Sequence, residues 1–447
     1  MKGTAIPIPT DTYNGIVVGS STLVGGVYRQ VSDFNTFDEQ PPGNRKVINI
    51  IAPGEDVDMV RFNGASTPNL ENDGTSFAAP HVTGAVALLQ QYAEQKIAAS
   101  APRWDADSRR HEVMKAVLLN SADKILDNGT AMVNGSTVPQ GYLLGMERTV
   151  LDYGPNDDGI NPQDWLQSEA YGDTPFSDAS FIPLDDQMGA GHLNVGRART
   201  QFDPGKFNNT GTTTIPTVGW DYTQTDGAGD LRKYEFADTL QGGSFVSITL
   251  AWDRVVLFND ENGTPGEYDI GDTFDPWTDN IPPADDVIND LDLYLVPAGA
   301  TSTDDAIAAS LSYDSTMEHL FFQIPTTGSY EFWVDQFDSE FGAQPFAAAW
   351  WARLATLVLP PGDYNGDQIV DAQDYTFWRG DFGDSVTAGT GADGNGNSII
   401  DAADYVIWRN NLGSGAGTGS GDSAVPEPCT SGFILIAVGV IASFHRR

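Results

Sequence analysis

Two copies of one sequence, residues 363–383 and 393–413, constrain the fold of this chain more than any other feature. The copies match without gaps at 11 of 21 positions. In each copy, carboxylate or amide side chains stand at positions 1, 3, 5, 9 and 12 of a loop, and position 7 offers a backbone carbonyl. This spacing can wrap six or seven oxygens around Ca²⁺. The repeat therefore predicts a small unit that folds around two calcium ions.

The predicted ligands are alike in the two loops. They are Asp363, Asn365, Asp367, Ile369, Asp371 and Asp374 in the first loop, and Asp393, Asn395, Asn397, Ile399, Asp401 and Asp404 in the second. Asn397 stands where the first loop has an aspartate, so the second loop carries less negative charge. We therefore expect the second loop to bind calcium more weakly.

Each loop leads into a short aromatic helix, and the duplicated loop–helix resembles a type I dockerin, an EF-hand-like module. That resemblance implies a cohesin-like partner. Two features depart from the pattern. Position 6, a glycine in the standard loop, is Gln368 or Ser398, and positions 10 and 11 lack the hydroxyl pair common in cohesin-binding dockerins. Calcium binding is therefore expected, and cohesin binding is left open.

The rest of the chain divides by pattern into segments of different class. Residues 1–200 alternate strand-like and helix-like runs, which predicts an α/β domain with a parallel sheet. Residues 203–358 show period-two alternation between turns rich in Gly, Pro and Asp, which predicts a β-sandwich or jelly roll. Residues 361–413 hold the calcium repeats, and residues 414–424 form a Gly/Ser linker. The predicted protein is multidomain.

Composition excludes several classes of function. The chain of 447 residues has 23 basic and 62 acidic side chains, a net charge of −39. Such a charge repels phosphate backbones, so nucleic acid is not expected as a partner. The single cysteine, Cys429, excludes an intrachain disulfide and a thiolate zinc cluster.

The most specific motif is Gly74-Thr75-Ser76-Phe77-Ala78-Ala79-Pro80-His81-Val82-Thr83-Gly84, which runs from a polar turn into an apolar helix. A serine at such a place is by default a helix N-cap, and this alternative stays open. The string resembles the subtilisin-like serine proteases (subtilases) around their nucleophile. The resemblance implies that Ser76 attacks a peptide carbonyl of a polypeptide substrate. His81 belongs to the string, and we expect it to be structural.

Further segments resemble the same family in the same order, at residues 13–19, 51–54, 112–122 and 189–195. The resemblance covers about residues 10–200. Subtilisin-type chemistry needs an aspartate and a histidine before the serine. No histidine precedes His81, no Asp-Ser-Gly or Asp-Thr-Gly precedes Ser76, and residues 1–12 contain no oxyanion asparagine. Neither His111 nor His192 is expected to substitute as the base.

These observations predict the C-terminal portion of an exported subtilisin-like serine endopeptidase that lacks its triad Asp and His and is inactive alone. The sequence does not separate a truncated, a split and a degenerate gene. The alternative is a non-catalytic, calcium-binding cell-surface protein for adhesion or docking, in which the protease segment is only a scaffold.

The string Asn289-Asp290-Leu291-Asp292-Leu293 resembles a strand in the jelly-roll domain of multidomain subtilases. Alternation along a strand places Asp290 and Asp292 on one face. That face is interpreted either as solvated or as part of a calcium cluster.

The C-terminal residues 425–447 contain a Pro-Glu-Pro string, an apolar run over 432–444 and a terminal Arg446-Arg447 pair. Thirteen helical residues span about 20 Å, short of the ~30 Å hydrocarbon core. The segment resembles the PEP-CTERM sorting signal, which implies export to the cell envelope membrane, an exosortase-type sorting enzyme, and release to the surface or outside. A plain short anchor is the alternative.

Overall fold

A computed structural model describes most of the chain, in stretches separated by gaps. They are residues 14–25, 27–33, 35, 46–57, 73–125, 130–133, 136–139, 146, 149–156, 159–172, 176–240, 242–254, 258–259, 273–274, 289–313, 315–339, 341–352, 361–365, 370–386 and 389–413. The chain forms two compact units, Met1–Leu357 and Val358–Arg447. Within the described stretches, the protein is a mixed α/β structure with several sheets and five α-helices.

The first sheet has three strands, β1 (Val18–Val24), β2 (Val27–Val31) and β3 (Ile50–Pro53), in the order β2-β1-β3. β1 pairs with β3 in parallel and with β2 as an antiparallel hairpin. The parallel pair agrees with the predicted α/β segment. β3 is almost wholly buried, as its continuous apolar run requires.

Helix α1 (Thr75–Ala98) packs on β1 and β3 through one stripe of small and apolar residues. The buried positions are Ala78, Val82, Ala85, Leu89 and Ala93. This spacing of three and four residues keeps them on one face of the helix. Leu88, on another face, is 58% exposed.

Helix α2 (His111–Asn120) is buried at every residue from Glu112 to Asn120. A helix buried on all sides lies between two layers of structure. A short hairpin of β4 (Thr130–Val133) and β5 (Ser136–Pro139) follows it. The segment ends in α3 (Val195–Phe202), whose N-cap Asn194 accepts a hydrogen bond from the N–H of Arg197.

Two larger sheets follow. Their strands and two short neighbours are β6 (Thr212–Ile215), β7 (Val218–Thr225), β8 (Leu231–Phe236), β9 (Phe245–Trp252), β10 (Phe258–Asn259), β11 (Thr273–Phe274), β12 (Leu291–Pro297), β13 (Ala308–Ser310), β14 (Met317–Gln323), β15 (Tyr330–Gln336) and β16 (Gln344–Ala352). One sheet has the order β13-β12-β15-β8-β6 and the other β14-β9-β16-β7. They enclose one apolar core that includes Tyr234, Ile248, Leu293, Phe332 and Trp350. Residues 203–358, for which a β-sandwich or jelly roll was predicted, thus contribute two sheets that share a core.

The outer face of the four-stranded sheet is covered by α2 and α3. One core cluster joins apolar residues of α1, α2 and α3 to Trp220, Ala251 and Ala347 of this sheet. At its centre, the Asn120 amide donates to the hydroxyls of Ser247 and Thr249, at 3.1 Å each. The predicted domain boundary near residue 200 therefore falls inside one compact unit.

The second unit contains α4 (Ala372–Gly380) and α5 (Ala402–Asn411), one after each repeat loop. The helices are joined by reciprocal bonds. Trp378 Nε1 donates to the carbonyl of Asp401 at 2.9 Å, and Trp408 Nε1 donates to the carbonyl of Asp371 at 2.6 Å. Each helix thus holds the loop of the other repeat.

The two repeats differ at their second position. The hydroxyl of Tyr364 donates to the carbonyl of Asp404 at 2.6 Å. The equivalent residue, Gly394, has no room for a side chain, because a Cβ there would lie 2.7 Å from the Tyr364 hydroxyl. The tyrosine of the first copy therefore occupies space beside the second copy.

No helix in the stretches given above is both long and apolar enough to cross a bilayer. The predicted linker (414–424) and the predicted sorting segment (425–447) lie outside the described residues.

Candidate active-site serine and calcium loops

Ser76 is the second residue of α1, and it is exposed. The N-cap of this helix is Gly74, with a φ of 135°, and no side chain bonds the helix start. The interpretation of Ser76 as the N-cap is therefore wrong. The N-cap position lies two residues before Ser76, at Gly74, whose backbone conformation other residues avoid.

The turn before Ser76 is held by the end of β3. The N–H of Gly74 donates to the carbonyl of Gly54 at 2.7 Å. A Cβ on Gly54 would lie 2.4 Å from Ser20 Oγ and 2.9 Å from the Gly74 carbonyl oxygen. Only glycine fits at residue 54, so the Pro-Gly pair after β3 fixes where α1 begins.

In the first turns of α1, two backbone carbonyls depart from the usual helical hydrogen bonding. Pro80 lies inside the helix and has no N–H, so the Ser76 carbonyl loses its usual partner four residues on. His81 Nδ1 bonds the carbonyl of Phe77 at 2.9 Å. This contact ties His81 to its own helix, in keeping with the structural role expected for it.

The other described histidines bond groups other than Ser76. His192 Nε2 lies 3.0 Å from Ser21 Oγ, and both side chains are buried. His319 Nδ1 lies 2.7 Å from Thr249 Oγ1 and is also buried. His111 Nε2 lies 2.7 Å from Asp253 Oδ2. None of these three contacts joins a histidine to Ser76.

The Ser21–His192 pair was not anticipated from the sequence. It forms because residue 192 pairs with Ile51 as a bridge beside β3, while Ser21 lies on β1. The only sequence signal was that both residues flank segments resembling the same family. Burial of both partners keeps a polypeptide substrate away from this hydroxyl.

The residues around Ser76 match a known family. Residues 1–142 match the Subtilase family. This covers about a third of the 447 residues and includes the whole serine string. The segment at 189–195 lies beyond the match. No curated protein matches the chain.

Three solved structures show weak similarity. PliG of Aeromonas hydrophila, a periplasmic lysozyme inhibitor, is 13% identical and covers 32% of this chain and 98% of its own, with a TM-score of 0.18. CorA of Methylomicrobium album BG8, a surface-associated copper-binding protein, is 9% identical and covers 32% and 100%, with a TM-score of 0.19. A serine protease of Aeromonas sobria is 11% identical and covers 75% and 56%, with a TM-score of 0.19. Scores this low support no argument about fold or function.

In both predicted calcium loops, the position-12 aspartate closes the loop through backbone N–H groups. Asp374 Oδ1 accepts from the N–H groups of Tyr364 and Asn365, and its Oδ2 accepts from Asp371. Asp404 accepts in the same way from Asn395 and Asp401. Both carboxylates are fully buried. Asp371 and Asp401 cap the two helices that follow.

Position 1 of the second loop is also held by backbone donors. Asp393 accepts from the N–H groups of Asn397, Ser398 and Gly389. Burial opposes its ionisation, but these donors outweigh burial and hold the pKa of Asp393 below its ordinary value. The carboxylate is thus negatively charged at neutral pH, as a calcium ligand must be.

The predicted asparagine ligands of the second loop bond backbone N–H groups within that loop. Asn395 and Asn397 turn their side-chain oxygens onto loop N–H groups, of Asn397 and Ile399 respectively. Ser398 at position 6 adopts a φ of 71°, the conformation that a glycine favours there. Asp363 is buried. Asp367 and Ile369 lie outside the described residues.

Asp292 on strand β12 is not exposed to solvent, although a solvated face was one of the two interpretations of this strand. Asp292 is only 5% exposed, and its Oδ2 accepts a hydrogen bond from the hydroxyl of Tyr294 at 2.7 Å. Burial raises the pKa of Asp292 to about 6. Glu318 is buried nearby, and burial raises its pKa as well. The solvated-face interpretation is wrong for Asp292 because the neighbouring strands cover it.

Proposed function

We propose that this chain carries the nucleophile-bearing part of an exported subtilisin-like serine endopeptidase. Ser76 is the nucleophile that forms the acyl-enzyme with a polypeptide substrate. One observation carries the proposal: Ser76 is exposed at the start of α1, within residues that match the Subtilase family.

The chemistry of the helix start supports this role. The first N–H groups of a helix have no intrahelical acceptor and lie at the positive end of the helix dipole. The N–H of Ser76 is one of them, since Ser76 is the second residue of α1. A negative oxygen that develops on the attacked carbonyl would be stabilised there. The hydroxyl itself still needs a base.

We further propose that the 447 residues do not hydrolyse peptides on their own. The sequence offers no histidine before His81, and the described histidines bond other groups. The purified chain should therefore show no hydrolysis of a peptide library above that of Ser76→Ala. Hydrolysis by the natural chain that disappears in Ser76→Ala would contradict this part of the proposal.

The nucleophile role is tested on the reading frame upstream of the Met1 codon. That frame is sequenced for an Asp-Ser/Thr-Gly string and a histidine motif, and any such extension is expressed together with the chain. In the extended protein, Ser76→Ala should abolish peptide hydrolysis, while the control Ser100→Ala, at another exposed serine, should retain it. Activity that survives Ser76→Ala would sink the proposal.

The second candidate is a non-catalytic surface protein that binds calcium through its repeats, with a degenerate protease segment as scaffold. The observation that favours it is the pair of closed acidic loops, each ending in a buried aspartate. Calcium titration of the full chain should reveal two sites lost in Asp374→Ala and Asp404→Ala, respectively. A chain with no calcium sites in this unit would remove this candidate.

Export to the cell surface by the C-terminal sorting segment completes the proposal, with an exosortase-type enzyme as the processing partner. A cohesin-like partner of the repeats is a further, separate possibility. Deletion of residues 425–447 should abolish retention at the envelope if the sorting proposal is right. Unchanged retention would contradict it.

A further inference from the structure

His111, Glu112 and Asp253 form a cluster apart from Ser76 and from the calcium loops. His111 and Glu112 are the first residues of α2, and Asp253 directly follows β9. Their ligand-type atoms lie within 4.8 Å of one another. His111 Nε2 lies 2.7 Å from Asp253 Oδ2, and His111 Nδ1 lies 3.4 Å from Glu112 Oε2. The imidazole thus stands between two carboxylates.

One of these carboxylates is buried and incompletely satisfied. The Glu112 side chain is 7% exposed, and its Oε2 accepts no hydrogen bond from the described residues. Its other oxygen, Oε1, lies 3.4 Å from the hydroxyl of Tyr222. A buried carboxylate oxygen without a donor is costly, so a group that supplies positive charge at this place stabilises the fold.

A neutral imidazole has one N–H and so donates to only one of the two carboxylates, whereas a protonated imidazole donates to both. A bound cation is a second way to supply positive charge at this place. Arg110, the preceding residue, has its Nε on Asp107 at 3.1 Å and its guanidinium over the Tyr222 ring at 4.5 Å. Arg110 also interacts electrostatically with Glu112, so one guanidinium is shared between Glu112 and Asp107, and Glu112 Oε2 still accepts no hydrogen bond from the described residues.

We propose that His111, Glu112 and Asp253 bind a divalent cation of the class that accepts both imidazole and carboxylate ligands. Zn²⁺ represents this class in the experiment below. One nitrogen and two oxygens suit Zn²⁺, whereas the all-oxygen repeat loops suit Ca²⁺. Their ligand-type atoms, which lie within 4.8 Å of one another, would have to move to reach the ~2.0–2.2 Å typical of Zn²⁺–ligand distances. His111 is 61% exposed, so the ion can enter from solvent and keep water as a further ligand.

The site joins two parts of the unit that are distant in sequence. His111 and Asp253 are separated by 142 residues. His111 lies within the Subtilase match and Asp253 lies at the end of a sandwich strand. A cation held between them clamps α2 to the four-stranded sheet. The proposed role is structural.

The experiment is a Zn²⁺ titration of the full chain in excess Ca²⁺, which occupies the repeat loops. Binding is followed by calorimetry and, with Co²⁺ as a substitute, by visible absorption. We expect one site that is lost in His111→Ala and weakened at least tenfold in Asp253→Asn. The matched control is His81→Ala, which removes another exposed histidine and should keep the site. Zn²⁺ should also raise the Tm of the natural chain.

Three results would overturn the proposal. They are the absence of Zn²⁺ binding by the natural chain, an unchanged site in His111→Ala, and loss of the site in His81→Ala. Thermal unfolding without Zn²⁺ shows whether each variant is folded. Glu112→Gln, which keeps the shape of the side chain, provides a second variant if Asp253→Asn unfolds. It should likewise weaken Zn²⁺ binding, and equal binding would count against the proposal.

Discussion

At the scale of single residues, two glycines near Ser76 differ in whether the surrounding structure has room for a side chain. Gly54 has no room for a Cβ, whereas a Cβ on Gly84 in α1 meets nothing within 4 Å. Gly54→Ala should therefore lower the free energy of unfolding by about 1–3 kcal/mol, the usual cost of overpacking. Gly84→Ala should raise it by about 0.5–1 kcal/mol, because alanine favours the helix. Urea unfolding of the two variants compares them.

A Gly54→Ala variant as stable as the natural chain would show that the turn before Ser76 can shift. In that case the start of α1 would not be fixed by β3. Loss of stability in Gly84→Ala would indicate that some group covers this face of the helix.

Buried Asp292 makes stability depend on pH. Burial raises its pKa from 3.8 to about 6, so the folded state binds the proton more tightly than the unfolded state does. Its contribution is complete below pH 4 and is lost as the pH rises through 6, to a total of about 3 kcal/mol. Asp292→Asn removes this loss, so its stability relative to the natural chain should increase between pH 4 and 7.

The measurement is urea unfolding across that pH range at one calcium concentration. Asp238→Asn, at an exposed residue of the same unit, is the control for loss of charge. If Asp292 instead bound a cation, the natural chain would gain stability as the pH rises, relative to Asp292→Asn. That opposite slope would support the calcium alternative for this strand.

At the scale of elements, the second calcium loop contains a strained residue. Ser398 has a φ of 71° at the position where the standard loop has a glycine. A left-handed conformation costs a residue with a Cβ about 1–2 kcal/mol. Glycine avoids this cost, but the larger conformational entropy of its unfolded chain offsets part of the gain. Ser398→Gly should therefore raise the calcium affinity of this loop about two- to fivefold, as measured by calorimetry.

The affinity of the first loop should not change in Ser398→Gly. Gly396→Ala supplies the reverse control, because Gly396 has a φ of 72° and alanine would be strained there. Equal affinity of the second loop in the natural chain and Ser398→Gly would show that this conformation is not a burden on calcium binding.

Several elements were predictable because their patterns are local. The helix after Ser76, the helix from residue 111 and the sandwich strands follow from apolar periodicity, and the loop closure follows from ligand spacing. The burial of Ser247 and Thr249 was not predictable. They lie on the face of β9 that alternation assigns to solvent. They are buried because α2 packs on this face, and Asn120 of α2 donates hydrogen bonds to both hydroxyls. Contacts between distant segments leave no periodic signal.

At the scale of the whole molecule, the two compact units should unfold separately. The core shared by α1–α3 and the sandwich predicts one cooperative transition for residues 1–357. The repeat unit should give a second transition that moves to higher temperature with calcium. Differential scanning calorimetry with calcium and with a chelator measures both.

Asn120→Ala provides a test of the shared core. It removes the hydrogen bonds of the Asn120 amide to the hydroxyls of Ser247 and Thr249, and the 2.7 Å bond that Gln201 Nε2 donates to Asn120 Oδ1. The free energy of unfolding for the first transition should fall by about 1–3 kcal/mol. The Tm of the calcium-dependent transition should not change. Separate transitions for residues 1–200 and 203–357 would contradict one cooperative unit.

The crossed tryptophan bonds and the Tyr364–Gly394 contact have an evolutionary consequence. Each copy of the repeat completes the other, so a gene that lost one copy by unequal recombination would encode half a unit with an unpaired indole. The copies are not interchangeable either. A second copy of the first sequence would place a tyrosine at residue 394, where a Cβ would already force the side chain of Tyr364 to shift. A recombination that replaced the second copy by the first would therefore disturb the packing between the copies.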